Sequence, residues 1–343
     1  MRSVNDKVGT VIVTYNRKFS LINCLEKVIN QTYLPDVVYV IDNFSTDGSP
    51  ELLKEKGYID DIPVVDNQPV EVVKKIKIQD RELEIRYVRM NENTGGAGGF
   101  YEGIKRSYEA GCDWIWLMDD DGFPSPNCLE NLMKHKDKGD FLNAVVVSTE
   151  DSKRLAFSCR ELFIWNKRYI RSENRIIDTL EDLKRESKNG IFYDAAIPFN
   201  GTLISRKLVS RIGFPIKEFF TWYDEVEYMY RAILAGFKLL VILDAVFYHP
   251  PEKKVIRRLF NRYPVIDDAT DLRRYCIHRN ETHMLLKYNR RALVKNLIKY
   301  AFFYLFYKPR YLGLYMEAVL DGILGRWGKE KKFIKQSLLN DKK

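Results

Sequence analysis

The segment WIWLMDDD, residues 114–121, sets five apolar residues directly before three aspartates. An uninterrupted apolar run is typical of a strand buried on both faces of a parallel sheet. Adjacent carboxylates repel one another, and such a cluster persists at a strand end when a divalent cation neutralises it. Strand alternation would turn Asp119 and Asp121 to one side and Asp120 to the other. The segment predicts a buried strand ending at a metal site, with a solvated acidic turn as the alternative.

Short apolar runs alternate with helical patterns on both sides of this segment. The predicted strands lie at residues 8–13, 37–41, 85–88, 114–118 and 239–243. Helical periodicity predicts a helix capped by Ser20, another at about 101–110 and a third that ends at Ala235. Residues 60–84 are charged and contain two prolines, which indicates a surface excursion such as a hairpin. This alternation predicts a doubly wound α/β sheet, whose ligands lie outside the carboxyl ends of the strands.

Polar turns follow the first two predicted strands at that same edge. TYNR begins at Thr14, and DNFSTDGS begins at Asp42. Arg17 could contact a diphosphate that shares the metal. Asp42 and Asn43 could accept hydrogen bonds from a ribose or the imide of a uracil, although a capping aspartate in a turn is the commoner explanation.

A glycine-rich segment, NTGGAGGF at residues 93–100, precedes the second predicted helix. Glycines let backbone amides approach an anion or a sugar, and a helix amino end attracts negative charge. Tyr101 stands where a dinucleotide fingerprint requires its third glycine, and no P-loop lysine follows. The segment therefore indicates a donor contact or a flexible loop, and it disfavours a nucleotide-dependent oxidoreductase.

A second acidic group, Asp224, Glu225 and Glu227, follows Trp222 at the start of the third predicted helix. One of these acids could deprotonate an acceptor hydroxyl, with the aromatic side chains stacking on a sugar ring. Capping of the helix by these acids is the competing explanation. His249, at a strand end, is a candidate third metal ligand, although a single histidine is more often structural.

The composition indicates a folded chain of 343 residues with one large domain and an appendage. We predict a catalytic domain at residues 1–254 and a basic, aromatic helical region at 255–343. Five scattered cysteines suggest neither a disulfide framework nor a zinc site, which fits a reducing cytoplasm. The first sixteen residues lack the apolar core of a secretory signal.

The carboxyl-terminal residues 253–343 hold 22 Lys and Arg against 8 Asp and Glu. Aromatic and basic residues alternate in the stretch 297–320, which Pro309 interrupts and which is too broken to span a bilayer. Such a stretch suits the interface of an anionic membrane. Packing on the catalytic domain or on a second copy is equally consistent with it. Nucleic-acid binding is disfavoured, because the first 252 residues are acidic and no recognition motif is present.

Together, TVIVTYNR, VIDNFSTDGS, NTGGAGGF, WLMDDD, WYDEVEY and the late His249 resemble the inverting nucleotide-sugar glycosyltransferases of the GT-A fold, over roughly residues 8–250. The galactofuranosyltransferase and rhamnosyltransferase branch is the most similar. The resemblance implies a GT-A, Rossmann-like mixed sheet with a helical extension, and a hexosyltransferase that uses Mn²⁺ or Mg²⁺. It implies UDP-galactofuranose as donor and a polysaccharide or lipid-linked glycan as acceptor, and the basic, aromatic tail would place the enzyme at the cytoplasmic membrane face. The alternatives are a dTDP-rhamnose enzyme and a non-catalytic carbohydrate-binding relative.

The resemblance also implies roles for individual residues. The implied donor contacts are Thr14, Asn16, Arg17, Asp42, Asn43, Asn93, Gly95, Gly96, Gly98, Asp119 and Asp120. The implied metal ligands are Asp119, Asp121 and His249, and the implied acceptor contacts are Trp222 and Tyr223. The family takes its base from the second acid of the helix motif, usually Asp; that position here is Glu225, which leaves Asp224 as the alternative base.

Overall fold

The structure, a computed structural model, describes residues 6–78, 80–159, 162–165, 169–172, 177–195, 199–251, 256–267 and 270–334. Its strands are β1 (Val8–Thr14), β2 (Val37–Asp42), β3 (Val70–Ile78), β4 (Arg81–Arg89), β5 (Trp114–Asp119), β6 (Phe123–Pro124), β7 (Phe141–Ser148), β8 (Arg154–Cys159), β9 (Leu162–Trp165), β10 (Tyr169–Ser172), β11 (Ile177–Thr179), β12 (Ile191–Tyr193), β13 (Thr202–Ser205), β14 (Leu239–His249), β15 (Ile256–Leu259) and β16 (Tyr263–Ile266). Its α-helices are α1 (Lys18–Ile29), α2 (Ser49–Glu55), α3 (Gly95–Glu109), α4 (Cys128–Lys134), α5 (Leu180–Glu186), α6 (Arg206–Ile212), α7 (Asp224–Leu234), α8 (Asp271–Tyr288), α9 (Arg290–Tyr307) and α10 (Leu312–Leu324). Short 3₁₀ turns lie at Lys136–Lys138, Lys217–Phe219 and Pro309–Tyr311.

A mixed sheet forms the centre of the fold. Four parallel strands stand in the order β5, β1, β2, β4, and β3 closes one end as an antiparallel neighbour of β4. On the other side β13 runs antiparallel between β5 and β7, and β7 pairs in parallel with β14. The predicted α/β sheet is confirmed, as is its mixed character.

Apolar layers cover both faces of the parallel strands. All seven residues of β1 are buried, because their side chains alternate between two cores. Val8 and Ile12 join the core that contains α1, whereas Val11 and Val13 join the core that contains α3. Each fully buried aliphatic side chain contributes about 1.5–3 kcal/mol. Burial on two faces explains why β1 is mostly apolar and why its carboxyl end is held in a fixed place.

Several predicted boundaries differ from those of the structure. α1 begins at Lys18, so Ser20 lies inside the helix and is not its cap. β3 and β4 pair as an antiparallel hairpin, as the charged excursion suggested, although β4 begins before the predicted strand at 85–88. α3 begins at Gly95, so the glycines form its first turns, and close neighbours leave no room for a Cβ at Gly95, Gly98 and Gly99. β14 continues past residue 243, through a register shift, as far as His249.

The carboxyl-terminal part begins with strands, where the sequence pattern predicted helices only. β15 and β16 form a small antiparallel hairpin, and α8, α9 and α10 follow. α10 lies tightly against α8: a Cβ on Gly322 would stand 2.4 Å from the carbonyl oxygen of Arg279. The predicted domain boundary between residues 254 and 255 falls outside the described residues. Within the described part of the chain, none of the helices combines the length and apolar character that crossing a bilayer requires.

Candidate active site

Three strand ends meet at one edge of the sheet. The register sets Thr14 of β1 beside Asp42 of β2, and Val13 beside Asp119 of β5. Because these strands are parallel, the polar turns that follow them share this edge. The predicted convergence of the three motifs is therefore seen in the fold.

Side chains from elsewhere in the fold bind two members of the aspartate cluster, which consists of Asp119, Asp120 and Asp121. The Asp120 carboxylate is 1% exposed and accepts hydrogen bonds from Thr14 Oγ1 at 2.6 Å and Arg17 Nη1 at 2.9 Å. The same Arg17 nitrogen lies 2.8 Å from Asp121, whose other oxygen is 2.9 Å from His249 Nε2. β5 ends at Asp119, so strand alternation does not decide where the side chains of Asp120 and Asp121 point. Both of these carboxylates lie against Arg17.

The cluster is short of positive charge at one position. The Asp119 carboxylate receives no hydrogen bond or ion pair from the described residues. Burial, together with the charges of Asp121 and Asp120, raises the pKa of Asp119 to about 8. Burial also raises the pKa of Asp120 to about 6, against the opposing effects of Arg17 and Thr14. Asp119 is thus the carboxylate whose ionised form most needs a cation.

Asp121 and His249 stabilise each other's charged forms. Burial acts to raise the pKa of Asp121, but the hydrogen bond with His249 and the charge of Arg17 outweigh it, and the pKa is lowered. Burial acts to lower the pKa of His249, but the bond to Asp121 outweighs it, and the pKa is raised. His249 Nδ1 lies 2.6 Å from the Pro250 carbonyl oxygen, which orients the ring.

The side-chain atoms at this edge could coordinate a divalent cation only together with atoms of a substrate. Among the described residues, no three His, Cys, Asp or Glu side chains are close enough together to hold a metal ion on their own. Mg²⁺ is usually held by one or two carboxylates and by substrate phosphates, and Mn²⁺ also prefers oxygen ligands. The unbonded Asp119 carboxylate, with Asp121 and His249 beside it, suits that kind of site. Asp121 and His249 are in contact, and metal binding by Asp119, Asp121 and His249 stays a prediction.

Two of the residues predicted to contact the nucleotide, Asp42 and Asn16, form hydrogen bonds within the turns that follow β1 and β2. Both Asp42 oxygens accept hydrogen bonds, from Tyr87 Oη at 2.5 Å and the Ser45 amide at 2.8 Å, and the side chain is 0% exposed. Burial raises the pKa of Asp42. Asn16 accepts a hydrogen bond from the Thr46 amide at 2.7 Å. These residues hold the loop after β2, and direct contact with a nucleotide stays a prediction.

The glycine-rich start of α3 lies against the same turns. Asn43 donates to the Gly95 carbonyl at 3.0 Å, and Asn93 accepts from the Gly95 amide at 2.8 Å. A Cβ on Gly98 would stand 2.3 Å from Thr94 Oγ1, whereas a Cβ on Gly96 would meet nothing within 4 Å. Gly98 is needed for packing, and Gly96 borders open space where a donor sugar could lie.

Asp224 and Glu225, the acidic pair, begin α7. Asp224 is 4% exposed, and burial raises its pKa to about 7 against hydrogen bonds from backbone amides. Glu225 is half-buried and accepts a hydrogen bond from the Phe199 amide at 3.4 Å. Glu227 turns away from this edge: its oxygens lie 2.8 Å from Arg231 Nε and 2.6 Å from the Tyr288 hydroxyl. The third acid of the motif is therefore a structural anchor.

Residues 219–223, the aromatic loop, join the acidic pair to the glycine motif. The Phe220 carbonyl accepts a hydrogen bond from the Ala97 amide at 3.1 Å. Gly95 has φ +69°, and a Cβ there would stand 1.9 Å from that same carbonyl oxygen. Trp222 is half-buried, whereas the Tyr223 hydroxyl bonds to Glu281 of α8. Roles for Trp222 and Tyr223 in acceptor binding stay predictions.

Sequence reasoning missed the residues of α8 that contact this loop: Arg279, Asn280 and Glu281. The available signal was HRNET, residues 278–282, which sets five polar residues in succession inside a helix that also carries aromatics. A solvated helix face does not require consecutive polar residues, so part of this run had to be buried against polar partners.

Sequence comparison relates this chain to known glycosyltransferases. The profile of glycosyl transferase family 2 matches residues 10–65 and 56–192. A galactofuranosyltransferase GlfT1 of Mycobacterium tuberculosis is 29% identical over 339 residues, which cover 96% of this chain and 98% of that protein. The GlfT1 of Mycolicibacterium smegmatis is 29% identical over 316 residues, covering 90% of this chain and 92% of that protein.

Two solved structures share the fold at low sequence identity. Staphylococcus aureus TarS 1-349, in complex with UDP, has a TM-score of 0.53 at 15% identity and covers 92% of this chain and 80% of that one. GalNAc-T7 with UDP, GalNAc and Mn²⁺ has a TM-score of 0.53 at 14% identity; it covers 82% of this chain, which spans about half of that longer chain (48%). These similarities show the GT-A fold.

Proposed function

The chain belongs to glycosyl transferase family 2, and from that premise we propose that this glycosyltransferase moves galactofuranose from UDP-galactofuranose onto a polysaccharide or lipid-linked glycan. Similarity to the GlfT1 proteins over nearly the whole chain supports this donor. The observation that carries the proposal is the meeting of the aspartate cluster, the glycine-rich start of α3 and the acidic pair at one sheet edge. A rhamnosyltransferase that uses dTDP-rhamnose is the nearest alternative.

The donor would lie along the carboxyl edge of β1, β2 and β5. The turns that begin at Thr14 and Asp42 would hold the nucleotide, and Asn93 with Gly96 would border the sugar. Arg17 carries a positive charge beside the aspartate cluster, and its side chain is 48% exposed, so it can reach a diphosphate oxygen of the donor. The amino end of α3 adds partial positive charge on the same side.

We expect Mn²⁺ or Mg²⁺ to bind at Asp119, Asp121 and His249 together with the diphosphate of the donor. A cation there supplies positive charge for the oxygen that departs with UDP. Burial, together with the charges of Asp121 and Asp120, raises the pKa of Asp119, and a cation would offset both effects, which supports this expectation. Asp120, bonded to Thr14 and Arg17, would orient these neighbours without meeting the metal.

We propose Glu225 as the base that takes the acceptor proton. Its side chain is half-buried and so can reach an acceptor, whereas Asp224 is 4% exposed. The acceptor hydroxyl would lose its proton to Glu225, its oxygen would bond to the anomeric carbon, and the bond from that carbon to UDP would break. Attack opposite to the leaving group inverts the anomeric configuration. Trp222, beside the acidic pair, could stack on the acceptor sugar.

We propose that α9 and α10 touch the anionic cytoplasmic face of a membrane, where a lipid-linked acceptor would be found. Phe302 is 44% exposed, Phe306 is 60% exposed and Leu320 is 51% exposed. The chain around them is basic, as an anionic lipid surface requires. Co-sedimentation with vesicles of anionic lipid, lost in the double variant F302S/F306S and absent with neutral lipid, tests this contact. A dimer that dissociates in the variant, without vesicle binding by the parent, would instead indicate association of two copies.

The donor is tested with a panel of nucleotide sugars, in the presence of Mn²⁺ or of a chelator. We expect UDP release and a product heavier by one hexose with UDP-galactofuranose, and loss of both on chelation. Turnover of dTDP-rhamnose with no turnover of UDP-galactofuranose would favour the alternative donor.

A further inference from the structure

The aromatic loop has a backbone that ordinary local interactions do not favour. Phe220, Trp222 and Tyr223 have φ values of 64°, 69° and 69°. Bulky side chains rarely adopt this left-handed region, and such residues persist only when the surroundings impose the conformation. The acidic pair follows this loop directly. Some other part of the fold must therefore supply the free energy that keeps the loop in place.

Asn280 of α8 supplies a large part of that support. Its Nδ2 donates to the carbonyl oxygens of Phe219 at 2.9 Å, Thr221 at 2.9 Å and Trp222 at 2.8 Å. An amide nitrogen carries two hydrogens, so at least one of them is shared between two carbonyls. The side chain is 0% exposed, and in such a place hydrogen bonds are strong and their loss is costly.

Arg279 decides which way the Asn280 amide faces. Its Nε donates to Asn280 Oδ1 at 2.9 Å, which leaves Asn280 Nδ2 for the loop. Its Nη2 also donates to the carbonyls of Glu218 at 3.1 Å and Phe219 at 3.0 Å. Glu330 Oε2 lies 2.5 Å from Nη1 and balances the charge of the buried guanidinium. Two adjacent residues of α8 thus bind four carbonyls of one segment.

The opposite side of the loop rests on the donor site. The Phe220 carbonyl meets the Ala97 amide at the glycine-rich start of α3. The loop is therefore enclosed between α3 and α8, and a shift of α8 would move the acidic pair relative to the donor. We propose that Arg279 and Asn280 are positioning residues that set the distance between the base and the bound donor. This inference rests on the proposed function, since it assigns the base to the acidic pair.

The test compares Asn280→Ala with Tyr288→Phe, two variants of α8. Tyr288→Phe removes a buried hydrogen bond to Glu227 and none of the bonds that Asn280 makes to the loop carbonyls. We expect Asn280→Ala to lower kcat for transfer by about 100-fold, because small misplacements of reacting groups have effects of that size. We expect UDP affinity to stay at the parent value and amide hydrogen exchange to accelerate in residues 217–226 alone. Tyr288→Phe should leave kcat and exchange in this segment unchanged.

A second variant, Asn280→Asp, keeps the side-chain shape and turns an oxygen toward the three carbonyls. It should reproduce the loss of kcat and the local exchange. Parent kcat in either folded variant, exchange that rises throughout the chain, or failure of both variants to fold would overturn the proposal, because each outcome indicates packing without positioning. If the parent protein turns over no nucleotide sugar, the proposed function fails, while the exchange measurement still tests the support of the loop by α8.

Discussion

The aspartate cluster and the acidic pair stand at the same edge of the sheet but are held there in different ways. The cluster stands at the end of a buried strand, and Thr14, Arg17 and His249 bind the carboxylates of Asp120 and Asp121 within 3 Å. The acidic pair follows a strained loop, and its support comes from α8 and from the start of α3. Ion pairs hold the aspartate cluster, so removal of a charge should impair it most. Backbone geometry holds the acidic pair, so a steric change in the aromatic loop should impair it most.

The largest expected effect is on the base itself. Glu225→Gln keeps an oxygen that can accept from the Phe199 amide but cannot take a proton, so the fold should persist. We expect transfer to fall by about 10²–10⁴-fold, the usual contribution of general base catalysis. Initial rates of UDP release measure it, with the exposed Glu109→Gln as control. A larger loss in Asp224→Asn than in Glu225→Gln would move the base to Asp224.

Asp121→Asn tests the charge balance of the cluster. The change weakens the contacts with Arg17 and His249 and removes one charge from the expected metal site. We expect transfer to fall by about 10²–10³-fold, as on loss of a group that stabilises transition-state charge. Rates measured over a range of Mn²⁺ concentrations check this, with Asp61→Asn, at an 85% exposed side chain, as the matched control. Unchanged rates would show that Asp121 holds no metal.

Gly95→Ala tests the steric support of the loop. The new Cβ would meet the Phe220 carbonyl at 1.9 Å, at φ +69°, so we expect a loss of about 1–3 kcal/mol in the free energy of unfolding. Gly96→Ala is the matched comparison, because a Cβ there meets open space, and it should gain up to about 1 kcal/mol from helix propensity. Urea unfolding of both proteins measures the difference. Equal stabilities would contradict the close contact between α3 and the loop.

Asp224→Asn gives the smallest effect, on the pH dependence of stability. Burial raises the pKa of Asp224 from its ordinary 3.8 to about 7. Between these values the folded protein holds a proton that the unfolded chain has released, so this residue lowers stability as pH rises through that window. Asparagine cannot ionise, and we expect the variant to gain at least about 1 kcal/mol on the parent between pH 4 and pH 8. Urea unfolding at both pH values is the measurement, and a constant difference would exclude the buried proton.

Much of the candidate site follows from local sequence order. The strands that end at Thr14, Asp42 and Asp119 could be predicted because each is a short apolar run bounded by polar residues. Parallel strands align their carboxyl ends, so three separate motifs had to share one edge. His249 could be named as a candidate from its place at a strand end, but its pairing with Asp121, 128 residues away, could not be predicted.

The sequence by itself determined the sheet, its polar edge and the acidic residues that stand there, because strand periodicity and charge are properties of neighbouring positions. Tertiary structure alone decided that Arg17 bridges two aspartates, that the glycines belong to a helix, and that Asn280 supports a loop about 60 residues earlier. Those facts depend on which side chains meet after the chain has folded. Sequence periodicity does not specify contacts between distant residues, because the residue type alone does not show whether an asparagine is buried or exposed.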